Sequence, residues 1–316
     1  MYASAAVYFL AASGIAQAFR LPDASVLTRD LHIPSFSNIK RSISETLSPR
    51  ASCPAVWSTI SSNLTDLFLT SGQCNNLARQ AIRAAFHDCF NNGCDGSLIL
   101  AGEFSRPEDA GMADICSELT KIQAEHDVGM ADLIQFAGAH AIRTCPLGPA
   151  VPAYVGRNDN STAAPAGQLP PVNGSGDSLL AMFKKKEFTA TDLAALIGAH
   201  STSTQSFVDQ SKAGESQDST PGIWDVAYYG QTLTGTAPFT FESDKNLAAQ
   251  EEVKPVFQSF VANQKGWDDA FVPAMVKMAT LGVPGGISSL TDCTSALPGV
   301  TLKRDIKAAP MGAWKR

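Results

Sequence analysis

Arg83, His87, Asp88, Cys89, Cys94, Asp95 and Ser97 crowd into one stretch, "RAAFHDCFNNGCDGSL", residues 83–98. Arg83 and His87 are four residues apart, a spacing that places both on one face of a helix, with Ile82, Ala85 and Phe86 as apolar neighbours. A neutral imidazole can take up a proton and return it. A guanidinium beside it can stabilise negative charge as it develops. The pair suits heterolysis of a polar bond whose leaving atom becomes anionic. Taken alone, it is equally consistent with a helix surface that carries an Arg and a His.

Cys89 and Cys94 are five apart, with turn chemistry at Asn91-Asn92-Gly93 between them. In an oxidising compartment they can close a tight loop, the alternative being two separate long-range bridges. Asp88, Asp95, Ser97 and the carbonyl of Gly93 are hard oxygen donors at irregular spacing, which suits calcium, although Asp95-Gly96 is also a plain turn signal. The stretch reads as a catalytic helix ending in a loop stapled by sulfur and calcium, which would hold His87 in place.

The elements that must position these groups are helical. Leu193, Leu196, Ile197 and His200 fall at i, i+3, i+4 and i+7, and Leu133, Phe136, Ala137 and His140 repeat that spacing. The two stretches, "ADLIQFAGAH" and "TDLAALIGAH", resemble each other, and Thr191 with Asp192 offers N-cap chemistry to the second. Alternating strand patterns are few. Residues 157–177 form a Pro/Gly/Asn-rich linker between an N-terminal and a C-terminal half, and a second loop spans residues 209–223.

The chain has 316 residues, 44% hydrophobic and 17% charged, enough for a sizeable core in one large domain or two lobes. A net charge of −6 and the absence of a long basic run argue against nucleic acid as a partner. Residues 1–18 read as an export signal ending in Ala16-Gln17-Ala18, and its apolar stretch is too short to span a bilayer. Residues 19–50 read as a propeptide or spacer with a processing signal at Lys40-Arg41. Seven cysteines in an exported chain imply disulfides with one thiol left over, and the lack of C-x-x-C argues against zinc. Sequons at Asn63, Asn160 and Asn173 suit a glycosylated, secreted, soluble product. No G-x-S-x-G and no H-E-x-x-H occurs, which removes the common hydrolase designs. A haem iron would complete the His87 site, and it needs an axial ligand. His140 and His200 are both candidates, and spacing does not choose between them.

At this point the chain resembles the plant, fungal and bacterial haem peroxidase superfamily, closest to the secreted class II fungal peroxidases, over nearly all of residues 51–300. "RAAFHDC" resembles the distal haem helix, "LIGAHSTS" the proximal one and "DSTPGIWD" (218–225) the proximal calcium loop. "MADLIQFAGAHAIRTCP" resembles the helix leading to a structural cysteine. The resemblance implies an all-α, two-lobed fold with haem b between distal and proximal helices. The peroxidase domain would be residues 51–316, with a distal lobe about 51–156, the linker 157–177 and a proximal lobe 178–300.

The resemblance also implies roles. His87 is the distal acid/base, Arg83 its cationic partner, and Phe86 packs over the haem. His200 ligates iron, and Asp244 in "FESDKN" accepts from its ring. His140 falls where the family has an apolar residue, so it is assigned to the core. One calcium ion would use Asp88, Gly93 through its carbonyl, Asp95 and Ser97. A second would use Ser201, Asp218, Thr220, Ile223 through its carbonyl, and Asp225. The bridges would be Cys53–Cys293, Cys74–Cys145 and Cys89–Cys94, with Cys116 free. The implied activity reduces hydrogen peroxide and oxidises small phenolic or similar aromatic donors by one-electron steps, in a secreted monomer that needs neither membrane nor nucleic acid.

The chain departs from the family in three places. Where the family has an N-x-G-L pattern whose Asn accepts from the distal His, this chain has Asp109-Ala110-Gly111-Met112. A carboxylate there favours the imidazolium, so the expectation is a raised His87 pKa and a pH optimum shifted upward. The positions of the family's manganese-binding acids are Asn76, Gln80 and Ser206, and that of its surface tryptophan is Ala195. Neither feature is expected here. The rival reading, which Asp109 favours, is a secreted haem- and calcium-binding protein with impaired turnover that acts as an interaction factor.

Overall fold

The computed structural model describes residues 52–91 and 93–299. The export signal, the propeptide with Lys40-Arg41, and the segment after residue 299 lie outside the described residues. Helices carry nearly all the regular structure, and the fold is all-α: α1 (Val56–Phe68), α2 (Asn76–Phe90), α3 (Ala113–His126), α4 (Met130–Thr144), α5 (Gly176–Lys185), α6 (Ala190–Ile197), α7 (Ala227–Thr234), α8 (Glu242–Ala249), α9 (Lys254–Ser259) and α10 (Gln264–Met278). Strands among the described residues are two short antiparallel pairs, Leu69–Thr70 with Gln73–Cys74, and Tyr154–Val155 with Thr291–Asp292.

Local chemistry starts the helix that matters most. Asn75 caps α2, its side-chain oxygen accepting from the backbone N–H of Leu77 and Ala78 at 3.0 and 3.2 Å. α2 then packs along α4. Gly138 permits the approach, because a Cβ there would lie 2.4 Å from the Cβ of Ala85. The apolar face of α2 (Ala78, Ala81, Ile82, Ala84, Ala85, Cys89, Phe90) joins one continuous core that runs from Trp57 to Leu297.

α6 begins differently from the sequence expectation. Its N-cap is Thr189, not Thr191, and Thr189 shares a capping box with Asp192 at 3.1 and 2.8 Å. The helix also stops at Ile197. Residues Gly198–Thr202 tighten into a 3₁₀ turn, so His200 leaves the α-helical face that Leu193 and Leu196 occupy. The tightening reaches the ring because a 3₁₀ turn rotates residues by 120° rather than 100° each.

The linker 157–177 is irregular up to the start of α5 at Gly176. It is tied down at its first residue. Asp132 on α4 accepts from the backbone N–H of Gly156 and Arg157 and from the Arg157 guanidinium at 3.0 Å, and that guanidinium also donates to the carbonyl of Ala279 at 2.7 Å. Disulfides join Cys53 to Cys293, Cys74 to Cys145 and Cys89 to Cys94, and Cys116 is a free, buried thiol. Burial, the first cause, pushes that thiol up to about 12, so it stays protonated and inert.

Candidate active site

Arg83 and His87 do share a face of α2, and they touch. The Arg83 Nε–H donates to Nε2 of His87 at 3.1 Å, while its two terminal nitrogens donate to the carbonyls of Ala110 at 2.5 Å and Glu108 at 3.0 Å. The guanidinium is thus fixed by the same 107–111 segment that delivers Asp109. Asp109 is buried at 1% exposure, and its Oδ1 lies 2.6 Å from Nδ1 of His87. A carboxylate accepts and Arg83 only donates. His87 therefore carries its hydrogen on Nδ1 and presents a lone pair at Nε2.

Asp109 raises the His87 pKa as expected, but the expectation of a net raised value is corrected by the surroundings. Burial lowers it most, and the Arg83 charge lowers it further. The hydrogen bond and charge of Asp109 raise it, but the net result is a fall to about 4. The sequence shows the carboxylate; only the fold shows how little water reaches the ring. His87 is neutral above about pH 4, and its base function is lost as pH falls through that value. Replacing Asp109 by Asn removes the raising contribution and keeps an acceptor for Nδ1–H. The acid limb of the peroxide rate should then move down by about 1 unit or more. A wild-type acid limb centred above the ordinary histidine value would refute this balance.

His200 sits in the 3₁₀ turn, its Nδ1 3.0 Å from Oδ2 and 3.2 Å from Oδ1 of the fully buried Asp244 on α8. Phe241 and Tyr228 flank its ring edge-on at 5.5 and 6.0 Å. Nε2 makes no hydrogen bond to protein among the described residues, and the side chain is 35% exposed. His200 is close enough to His87 that a charge on it would lower the His87 pKa further, which puts the two imidazoles within electrostatic reach. His140 is the opposite case. It is fully buried, its Nε2 lies 2.8 Å from the carbonyl of Ser61 and its Nδ1 3.1 Å from the hydroxyl of Thr144. Both nitrogens are engaged, and burial drives it to about 4.

A histidine whose Nδ1 is held by a buried carboxylate and whose Nε2 is unengaged fits an axial haem ligand, since the second partner fixes tautomer and ring orientation. Phe86 lies beside the distal pair, 5.9 Å from His87, in a stack with Phe90 at 5.0 Å and Phe183 at 6.2 Å. Phe183, Phe241 and Tyr228 were not singled out by motif. The only signals in the sequence were the position of Phe241 three residues before Asp244 and the Tyr-Tyr pair after the 218–225 loop.

The hard-oxygen sets are also gathered, with no three of His, Cys, Asp and Glu converging on a metal position among the described residues. The Ser201 hydroxyl meets the carbonyl of Ile223 at 3.4 Å and the N–H of Asp225 at 3.3 Å. Asp218 accepts from Thr220 N–H at 2.8 Å through Oδ1, while its Oδ2 is buried with no partner. Burial pushes Asp218 up to about 6, with Asp225 adding to the rise. Asp88 accepts from the N–H of Gly96 and Leu98 at 3.1 and 3.3 Å, and burial pushes it up to about 8. Asp95 accepts from Ser97 N–H at 3.1 Å and from the Asn160 amide at 2.9 Å, and a Cβ at Gly93 would lie 3.9 Å from its carboxylate. An orphaned carboxylate oxygen among hydroxyls and carbonyls is what a hard cation would satisfy.

An all-helical protein with a His–Arg pair on one helix and a carboxylate-backed histidine within electrostatic reach has the constellation of a haem-dependent oxidoreductase. Comparison with known proteins agrees. The family model described as "Peroxidase" matches residues 60–263. The chain is 31% identical to a low-redox potential peroxidase of Taiwanofungus camphoratus, over 77% of each chain. It is 30% identical to manganese peroxidase 3 of Phlebia radiata, over 73% of each, and 26% identical to a peroxidase of Arthromyces ramosus, over 81% of this chain and 79% of that one. The chain belongs to the peroxidase family, among the fungal class II haem peroxidases, and is a hydrogen-peroxide-dependent peroxidase.

Proposed function

We propose that His87 and Arg83 cleave hydrogen peroxide against a haem b held by His200, and that small phenolic or similar aromatic molecules are the electron donors. The observation that carries this is the tautomer lock on His87: Asp109 at Nδ1 and Arg83 at Nε2, at 2.6 and 3.1 Å. Haem, when bound, supplies an iron that binds peroxide and accepts its oxidising equivalents. The Nε2 lone pair of His87 takes the proton from one peroxide oxygen and delivers it to the other. The Arg83 guanidinium stabilises charge on the departing oxygen. Asp109 holds the ring in orientation throughout, and Asp244 keeps His200 Nδ1–H engaged so that Nε2 stays available to metal. One peroxide and two donor molecules yield two waters and two donor radicals.

Donor choice follows from what the chain lacks. Gln80 is spent on structure, accepting from Ile115 N–H at 3.0 Å and donating to Asp114 at 3.2 Å, and no acid stands at 76 or 206 to hold manganese. Ala195 is fully buried. The reading extends to a secreted, glycosylated monomer carrying two calcium ions, and no helix among the described residues is long and apolar enough to cross a membrane. The test is the visible spectrum of the haem- and calcium-loaded protein before and after one equivalent of peroxide. A Soret band that changes with peroxide and is restored by a phenol supports the proposal. A haem band that peroxide leaves alone or bleaches overturns it.

Ser201, next to His200 in the chain, meets Ile223 and Asp225 in the loop that also carries the unpartnered Oδ2 of Asp218, and this ties calcium to the iron ligand. An ion present at 100 times its Kd adds about 2.7 kcal/mol, or roughly 5–10 °C in Tm for a domain of this size. Chelation should lower Tm by that amount and loosen haem. An unchanged melting temperature and haem spectrum after exhaustive chelation would remove the calcium assignment.

A further inference from the structure

Tyr228 and Tyr229 stand side by side in α7, both fully buried. The Tyr228 ring meets His200 edge-on at 6.0 Å. Ring contacts then continue without a gap. Tyr228 is 5.2 Å from Tyr229, Tyr229 is 5.8 Å from Trp267, and Trp267 stacks on Trp224 at 4.7 Å with 9° between planes. Every member of this run is Tyr or Trp, the side chains that surrender an electron most readily. The run also packs directly under the iron-ligand turn. A Cβ at Gly198 would lie 2.2 Å from the Tyr229 hydroxyl and 2.5 Å from Nε1 of Trp267.

Ordinary core packing explains the rings but not the hydroxyl of Tyr228. Tyr229 donates to the carbonyl of Ala194 at 2.9 Å, and Trp267 donates to that of Ala195 at 2.9 Å. The Tyr228 hydroxyl is buried without a well-formed hydrogen bond, and its polar neighbours are the Asp244 carboxylate and the Thr232 hydroxyl. A buried hydroxyl with only poorly formed hydrogen bonds adds little to the fold, and a phenylalanine would fill the same space without it. Asp244, which already holds His200, is also the carboxylate that faces this hydroxyl.

We propose that Tyr228 is a redox-active residue that gives one electron to the haem centre after peroxide has oxidised it and no donor is at hand. The proposal rests on haem bound at His200. In this step Tyr228 loses one electron and one proton and becomes a neutral phenoxyl radical. The electron reduces the haem centre by one equivalent, and the proton converts the Asp244 carboxylate to the acid. The chain thereby stores an oxidising equivalent in the C-terminal half, away from the distal pair.

Rapid-freeze-quench electron paramagnetic resonance on the haem- and calcium-loaded protein tests this, with one equivalent of hydrogen peroxide and no donor. A tyrosyl signal is expected in the wild type and lost in Tyr228→Phe, with Tyr229→Phe retaining it. Placing 3,5-difluorotyrosine at position 228 should add fluorine splitting, which reads the site in a chain of native shape even if the Phe variant binds haem poorly. An undiminished signal in Tyr228→Phe, an unsplit signal in the fluorinated protein, or no tyrosyl signal despite a changed Soret band overturns the inference and leaves the distal chemistry standing. A haem that peroxide does not change overturns both.

Discussion

Replacing His87 with leucine should lower the rate constant for reaction with peroxide by about 10²–10⁴-fold, the usual contribution of a positioned acid/base. The argument is geometric. Asp109 fixes the His87 tautomer so that Nε2, on the side of Arg83, is its basic nitrogen, whereas His140 is fully buried between Ser61 and Thr144 and His200 is committed to Asp244. Leucine keeps the apolar contact with Phe86 and removes the proton relay together with the ring's bonds to Asp109 and Arg83. Stopped-flow absorbance with excess peroxide measures the rate constant, and the unperturbed haem band serves as the control for folding. A loss smaller than tenfold would mean that proton transfer is carried by solvent and that His87 is not the base. The variant should also lose the acid limb near pH 4, because the group that titrates there is gone.

The double variant Cys53→Ser, Cys293→Ser should lose about 5.5 kcal/mol of stability on the loop-entropy relation, less if the folded bridge is strained. The bridge closes 240 residues of chain, against 71 for Cys74–Cys145 and 5 for Cys89–Cys94. Without it the unfolded ends separate freely, and folding must bring them together. The ends matter to the site. Cys53 precedes α1, whose Trp57, Ile60, Leu64 and Phe68 are buried, and α1 packs on α4, which packs on α2. Cys293 is fully buried beside the Thr291–Asp292 strand, with its N–H donating to the carbonyl of Ala153 at 2.8 Å. Urea unfolding at fixed calcium measures the loss, which converts to roughly 11–22 °C in Tm at 2–4 °C per kcal/mol. A loss below about 1 kcal/mol, the scale of one ordinary hydrogen bond, would show that folded-state contacts alone hold the ends.

The chemistry of the distal pair was legible in the sequence because it is local. Arg83 and His87 sit four apart on a helix that an Asn cap and an apolar face both announce, and backbone periodicity alone brings their side chains together. The all-helical class was legible for the same reason. The resemblance to class II peroxidases supplied the rest of the site as expectations. Tertiary structure decided what periodicity leaves degenerate. His140 and His200 both follow Ala-Gly-Ala-like turns on apolar stretches, and they differ only in what the fold packs against them: Ser61, Thr65 and Thr144 around one, Asp244 and an unengaged Nε2 for the other. It also decided the sign at His87. A carboxylate in the sequence announces a raised pKa, but desolvation and the approach of Arg83 are properties of the whole packed interior, and together they outweigh it. The Tyr228 to Trp224 run is likewise assembled from α7, α10 and the 218–225 loop. No spacing in the sequence encodes contacts between residues that far apart in the chain, because they exist only once the apolar surfaces that carry them have left water.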